Sequence, residues 1–175
     1  MVAYRSILFI LILGLMGCKD PFKNDTLSLP KQVYMGDELK TEGVYVYSDS
    51  VSGYSDSFFL YRNGVFLIGE GFQMVDYDKV MRKMSSVEWS LSVKNSISRW
   101  GRFIVVGDRF TYEYWMPISG GGYPTYTFDG RILNDTTIQM ERMRRSHSKD
   151  WQSNARIFHL HKIANKPDST NRFTN

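Results

Sequence analysis

The 175-residue sequence predicts an all-β fold, an eight-stranded antiparallel up-and-down barrel with one helical insertion. Three observations point there. Most of the chain between Val44 and Ile163 reads as short runs in which β-branched or aromatic residues recur at alternate positions. Turn-forming dipeptides, Asn63-Gly64, Gly107-Asp108 and Asn134-Asp135, separate consecutive runs. A single long connection, about Gly69 to Gly101, interrupts this rhythm.

The strands follow in chain order. Val44-Tyr45-Val46-Tyr47 is the first. Runs 57–62 and 65–68 flank Asn63-Gly64, a two-residue hairpin turn because both positions accept positive φ. Runs 102–106 and 110–116 flank Gly107-Asp108. Residues 123–133 follow a Gly120-Gly121-Gly122 loop and read as one long strand, with Asp129-Gly130 as a glycine bulge. Asn134-Asp135 turns into 136–143, and 156–163 closes the chain. An antiparallel meander of this kind can close on itself and remove its exposed edges.

Within the long connection, Asp76 can cap a helix over 77–86, with Asp78 in its first turn. Val80, Met84, Val87 and Leu91 follow at spacings of four, three and four, one helical stripe. Residues 87–98 also fit a strand, since Val87, Trp89, Leu91 and Val93 alternate. Residues 58–61 and 65–68 are apolar on both faces, so the outer face of that hairpin needs a cover. The stripe is expected to supply it.

Residues 1–17 differ from the rest. Arg5 precedes an apolar stretch from Ile7 to Met16. That stretch is shorter than the ~20 residues of a spanning helix and has the design of a secretory signal. It ends in Leu15-Met16-Gly17-Cys18, which resembles the lipobox of bacterial lipoproteins. The resemblance implies thioether lipidation of Cys18, cleavage before it and acylation of the new amino group. Cys18 is the only cysteine, so it has no internal disulfide partner, and lipidation accounts for its isolation. Lys19 replaces the Asp of the familiar inner-membrane retention signal, which favours the outer membrane. Residues 18–32, polar and aperiodic, read as a flexible tether, and 164–175 as a disordered tail. The domain between them is 33–163.

From about Glu42 to Met143 the chain resembles the lipocalin-like domains of bacterial lipoproteins. The residues that carry this are Phe58 to Phe66 around Asn63-Gly64, then Trp100-Gly101-Arg102-Phe103, Gly107-Asp108-Arg109-Phe110, and Ile132-Leu133-Asn134-Asp135-Thr136-Thr137. The insertion near 77–98 departs from that pattern. The resemblance implies a small barrel, often with an internal pocket, and carries over no catalytic residue.

The chemistry-bearing residues are sparse. His159 and His161 share one face of a strand, as two metal ligands would, but a third ligand is not identifiable, so no metal is assigned. Glu113 alternates with Thr111 and Trp115, opposite Phe110, Tyr112 and Tyr114, and is expected to be a solvated charge facing out. The triple glycine lacks the Lys and Ser/Thr of a phosphate loop. Neither a nucleophile elbow nor a carboxylate pair stands out, so the expected protein is not an enzyme and uses no cofactor. Tyr112, Tyr114 and Tyr126 are the candidate ligand-binding residues, apolar platforms with a polar tip. The formal charge of +4, with no run of five basic residues, gives no support for nucleic acid as a partner. The expected partners are membrane lipid through acylated Cys18, and either a small apolar ligand inside the barrel or an envelope protein on its surface.

Overall fold

The computed structural model describes residues 24–174; the signal segment and Cys18 lie outside them. The strands are β1 (Val44–Ser48), β2 (Tyr54–Leu60), β3 (Val65–Ile68), β4 (Phe72–Gln73), β5 (Trp100–Val106), β6 (Arg109–Trp115), β7 (Thr125–Asn134), β8 (Thr137–Arg145) and β9 (Gln152–His161). All pairings are antiparallel: β1–β2, β2–β3, β3–β5, β5–β6, β6–β7, β7–β8, β8–β9 and β9–β1. These eight strands close a ring, and the short β4 adds to β2 outside it. The expected eight-stranded antiparallel barrel is therefore what the chain forms.

The interior is built by alternation. Tyr45 on β1, Phe58 on β2, Phe66 on β3, Phe103 on β5, Phe110 and Tyr112 on β6, Phe128 on β7, Ile138 on β8 and Phe158 on β9 pack as one cluster. The rings stack closely: Phe66 lies 4.4 Å from Tyr112, and Tyr112 4.7 Å from Phe128 at an interplanar angle of 2°. The register shift between Asp129 and Gly130 is the anticipated bulge. It has a second cause, because a Cβ at Gly130 would sit 2.2 Å from Gln139 O.

The β2–β3 turn differs from its expected form. Gly64 N–H donates to Tyr61 O (2.9 Å) and Tyr61 N–H to Val65 O (3.0 Å), so the loop has three residues, Arg62-Asn63-Gly64. Only Gly64 takes positive φ (78°). Asn63 instead uses its side chain: its Oδ1 accepts from Val65 N–H and its Nδ2 donates to Ser169 Oγ.

The insertion is two helices, α1 (Tyr77–Met84) and α2 (Val87–Lys94), packed on the outer face of the β2–β3 hairpin. The cover exists, but its expected composition needs correction. Met81, Met84, Trp89 and Val93 are buried against Phe59, Leu67 and Trp100, whereas Val87 and Leu91 are 70% and 58% exposed. The chain breaks at Ser85-Ser86, and Ser86 Oγ caps α2 by accepting from Trp89 N–H (3.2 Å). That new start resets the helical phase, so a stripe drawn straight across the break places the wrong side inward.

Both segments expected to be loose are laid along the barrel over their described residues. The N-terminal segment begins beside β6 and β7, where Asp25 N–H donates to Tyr123 O. It runs down the outer face of β5 and β6, and Tyr34 N–H then donates to Arg62 O at the other end. There Tyr34 and Leu39 turn in and close the barrel floor, Leu39 N–H donating to Tyr34 Oη (2.7 Å). The C-terminal segment passes from the β2–β3 turn along α2 to β6. Tyr61 donates to Pro167 O (2.9 Å), Lys94 pairs with Asp168 (2.8 Å), and Phe173 packs on Trp115. Backbone groups and isolated side chains make these contacts, so no hydrophobic period announces them.

Candidate functional site

At the end opposite the floor the interior opens. This mouth is framed by the β1–β2 turn, the β6–β7 loop and the β8–β9 turn. Just inside lies a cavity of about 290 Å³, whose apolar wall includes Phe66, Ile68, Tyr112, Tyr114, Phe128 and Met143. That volume is at the small end for a ligand cavity, typically ~300–1,000 Å³. Below it the stacked rings leave the lower barrel filled.

The expected ligand-binding tyrosines separate here. Tyr112 and Tyr114, inward on β6, line the cavity. Tyr126 pairs with Tyr114 across β6–β7 and packs against the same interior cluster, but does not line the cavity. Burial pushes the Tyr112 and Tyr114 phenols well above their ordinary ionisation range, so both stay neutral hydroxyls.

The wall also carries charge. Arg156 on β9 and Asp56 on β2 occupy inward positions, and Arg156 Nη1 donates to Asp56 Oδ2. Tyr47 lies under the guanidinium at 5.3 Å. Asn154 adds an amide, which contacts Met143 Sδ. Sequence reasoning missed this trio, although a signal was available. Counting back by twos from Leu160 and Phe158 puts Arg156 and Asn154 on the inward face. The site thus combines an aromatic pocket with a charged and hydrogen-bonding rim, the layout of a binder for a molecule with an apolar body and a polar end.

The other candidates lie outside the barrel. Glu113 does face out, but it is not solvated: its residue is fully buried beneath the N-terminal segment. Its Oε2 accepts from Ser28 N–H (2.7 Å), Ser28 Oγ (3.0 Å) and Leu29 N–H (2.8 Å). Arg102, its cross-strand neighbour, donates to Leu29 O (3.0 Å). This carboxylate is a latch. His161 Nδ1 is hydrogen-bonded to Tyr77 Oη (2.8 Å), and His159 Nδ1 lies 3.4 Å from Thr137 Oγ1. Among the described residues no group of three His, Cys, Asp or Glu stands at metal-binding proximity. Gly120, Gly121 and Gly122 all take positive φ in the β6–β7 loop. Among the described residues no helix is long and apolar enough to cross a membrane.

Compared with family models, with curated proteins and with solved structures, the chain matches none.

Proposed function

We propose that this protein is a lipid-anchored, lipocalin-like carrier of the bacterial envelope, which holds a small amphipathic molecule at the barrel mouth without transforming it. The observation that supports it best is the cavity, where Phe66, Tyr112, Tyr114 and Phe128 form an apolar wall beneath Arg156 and Asp56. Burying apolar ligand surface there contributes roughly 25 cal/mol per Å². A polar group that meets Arg156 and Asn154 fixes orientation. The anchor is the acylated Cys18, and two acyl chains suffice for stable attachment.

A second reading has its own support. The lower barrel is filled by stacked rings, as in an accessory protein that works through its outer surface. One experiment separates the two. The full chain is purified in mild detergent from its own host and analysed by native mass spectrometry. A bound molecule of constant mass, absent from Ile68→Trp protein, supports the carrier. Protein of bare polypeptide-plus-lipid mass supports the accessory role. Labelling with a clickable fatty acid, lost in Cys18→Ala, tests the anchor independently.

A further inference from the structure

We propose that the barrel is held mouth-down, with the rim of the mouth in contact with the bilayer. The inference rests on the reading of Cys18 as the lipid anchor. From Asp25 onward the N-terminal segment is fixed to the barrel, and Asp25 sits at the mouth. Trp115 Nε1 donates to its carbonyl (2.6 Å), Thr125 N–H to its carboxylate (3.3 Å), and Arg145 lies 3.7 Å from that carboxylate. Six residues separate Cys18 from Asp25, seven Cα steps that reach at most about 25 Å when fully extended. The other end of the barrel lies near the limit of that reach. β7 starts beside Asp25 at Thr125 and ends at Asn134, about 30 Å of strand, or roughly 23 Å along the axis at a typical barrel tilt of about 40°. A tether of this length brings the mouth to the membrane with slack and carries the floor there only at full extension.

The rim is suited to that position. Val51 in the β1–β2 turn is 94% exposed, and Val75, held beside that turn by Met74 N–H donating to Gly53 O, is 92% exposed. Ile118 stands exposed in the β6–β7 loop across the mouth. Arg144, Arg145 and Lys149 flank the β8–β9 turn at the same end. The exposed apolar side chains match the acyl boundary of a bilayer, and the cations of the β8–β9 turn its anionic headgroups, while Asp49 and Asp76 beside Val51 and Val75 keep those two turns at the interface. The cavity then opens toward the lipid, and its ligand class is an amphiphile that partitions from the leaflet.

The native sequence makes the test clean. Cys18 is the only cysteine, and lipidation consumes its sulfur, so an introduced cysteine is the one free thiol. The full lipidated chain is placed in phosphatidylethanolamine–phosphatidylglycerol vesicles after labelling Val51→Cys, Val75→Cys, Ile118→Cys, Val106→Cys or Leu133→Cys with an environment-sensitive fluorophore. Spin-labelled lipid serves as the quencher. The three rim probes are expected to be quenched several-fold more than the probes at Val106 and Leu133, which lie at the floor end. Insertion of a twenty-residue Gly-Ser stretch between Lys19 and Asn24 is expected to narrow that difference without abolishing it or disturbing the barrel, since the rim still favours the bilayer. Equal quenching at both ends, or stronger quenching at the floor, overturns the orientation. Thiol labelling of the unmutated chain, or failure of the vesicles to float it, overturns the anchor reading and this inference with it.

Discussion

The Glu113 carboxylate holds the main-chain N–H groups of Ser28 and Leu29 at 2.7 and 2.8 Å, across a sequence separation of more than eighty residues. One side chain on the outside of β6 thereby fixes a segment that has no secondary structure of its own. Hydrogen bonds to a charged group contribute about 1.5–3 kcal/mol net. Glu113→Ala is therefore expected to lower unfolding stability by about 2–3 kcal/mol. Amide exchange at Ser28 and Leu29 should rise with it, while that of β8 stays slow. Unchanged exchange at those two amides sinks the latch.

The break at Ser85-Ser86 yields a paired prediction. Met84 is completely buried under the lid, whereas Val87, one turn along an unbroken helix, is exposed. Met84→Asp should cost on the order of 3 kcal/mol, because it buries an unpaired carboxylate. Val87→Asp should stay within about 0.5 kcal/mol, since it adds an anion to the exposed first turn of α2. Denaturant midpoints decide it, and equal shifts contradict the packing described.

Ile68 lines the cavity without belonging to the filled lower barrel. Ile68→Trp is expected to intrude into the 290 Å³ cavity and to weaken binding of an apolar fluorescent probe by about tenfold, a loss of ~1.4 kcal/mol. The melting temperature should remain close to that of the native protein. Undiminished probe binding would place the binding site elsewhere.

Lys166 provides a pH dependence. Its ammonium donates to Thr41 O and Leu60 O, but burial draws its pKa down to about 8 from an ordinary 10.5. Between those values the unfolded chain holds the proton and the folded chain has released it. Stability therefore rises with pH across that window. From pH 8 to 9.5 the gain is expected to be on the order of 1–2 kcal/mol, below the range where buried tyrosines oppose it. Lys166→Met should flatten the slope. A slope that survives the substitution assigns it to another group.

The strands were legible because their side chains alternate, and alternation is a statement about which face meets the core. Tyr112 and Tyr114 were found that way, and Arg156 was findable by the same count from Phe158. Alternation gives the face and not the packing on it, so Tyr126, the register partner of Tyr114, shares the inward face without lining the cavity. Helical phase was readable within α1 and lost at Ser86, whose capping hydroxyl starts a new helix. The two straps were illegible for a different reason. Their partners are a lone carboxylate, a tyrosine hydroxyl and single carbonyls, contacts that leave no period in the sequence and depend on strands folded far along the chain.

The lengthwise path of the N-terminal strap has a mechanical consequence. A pull on residue 24 directed away from the mouth runs nearly parallel to β5 and β6, so it loads the bonds at Asp25, Ser28 and Leu29 together in shear rather than one after another in peeling. Shear shares force among bonds. The strap acts as a strain relief, and tension at the mouth end reaches the closing seam between β1 and β9 only after the Glu113 grip has failed.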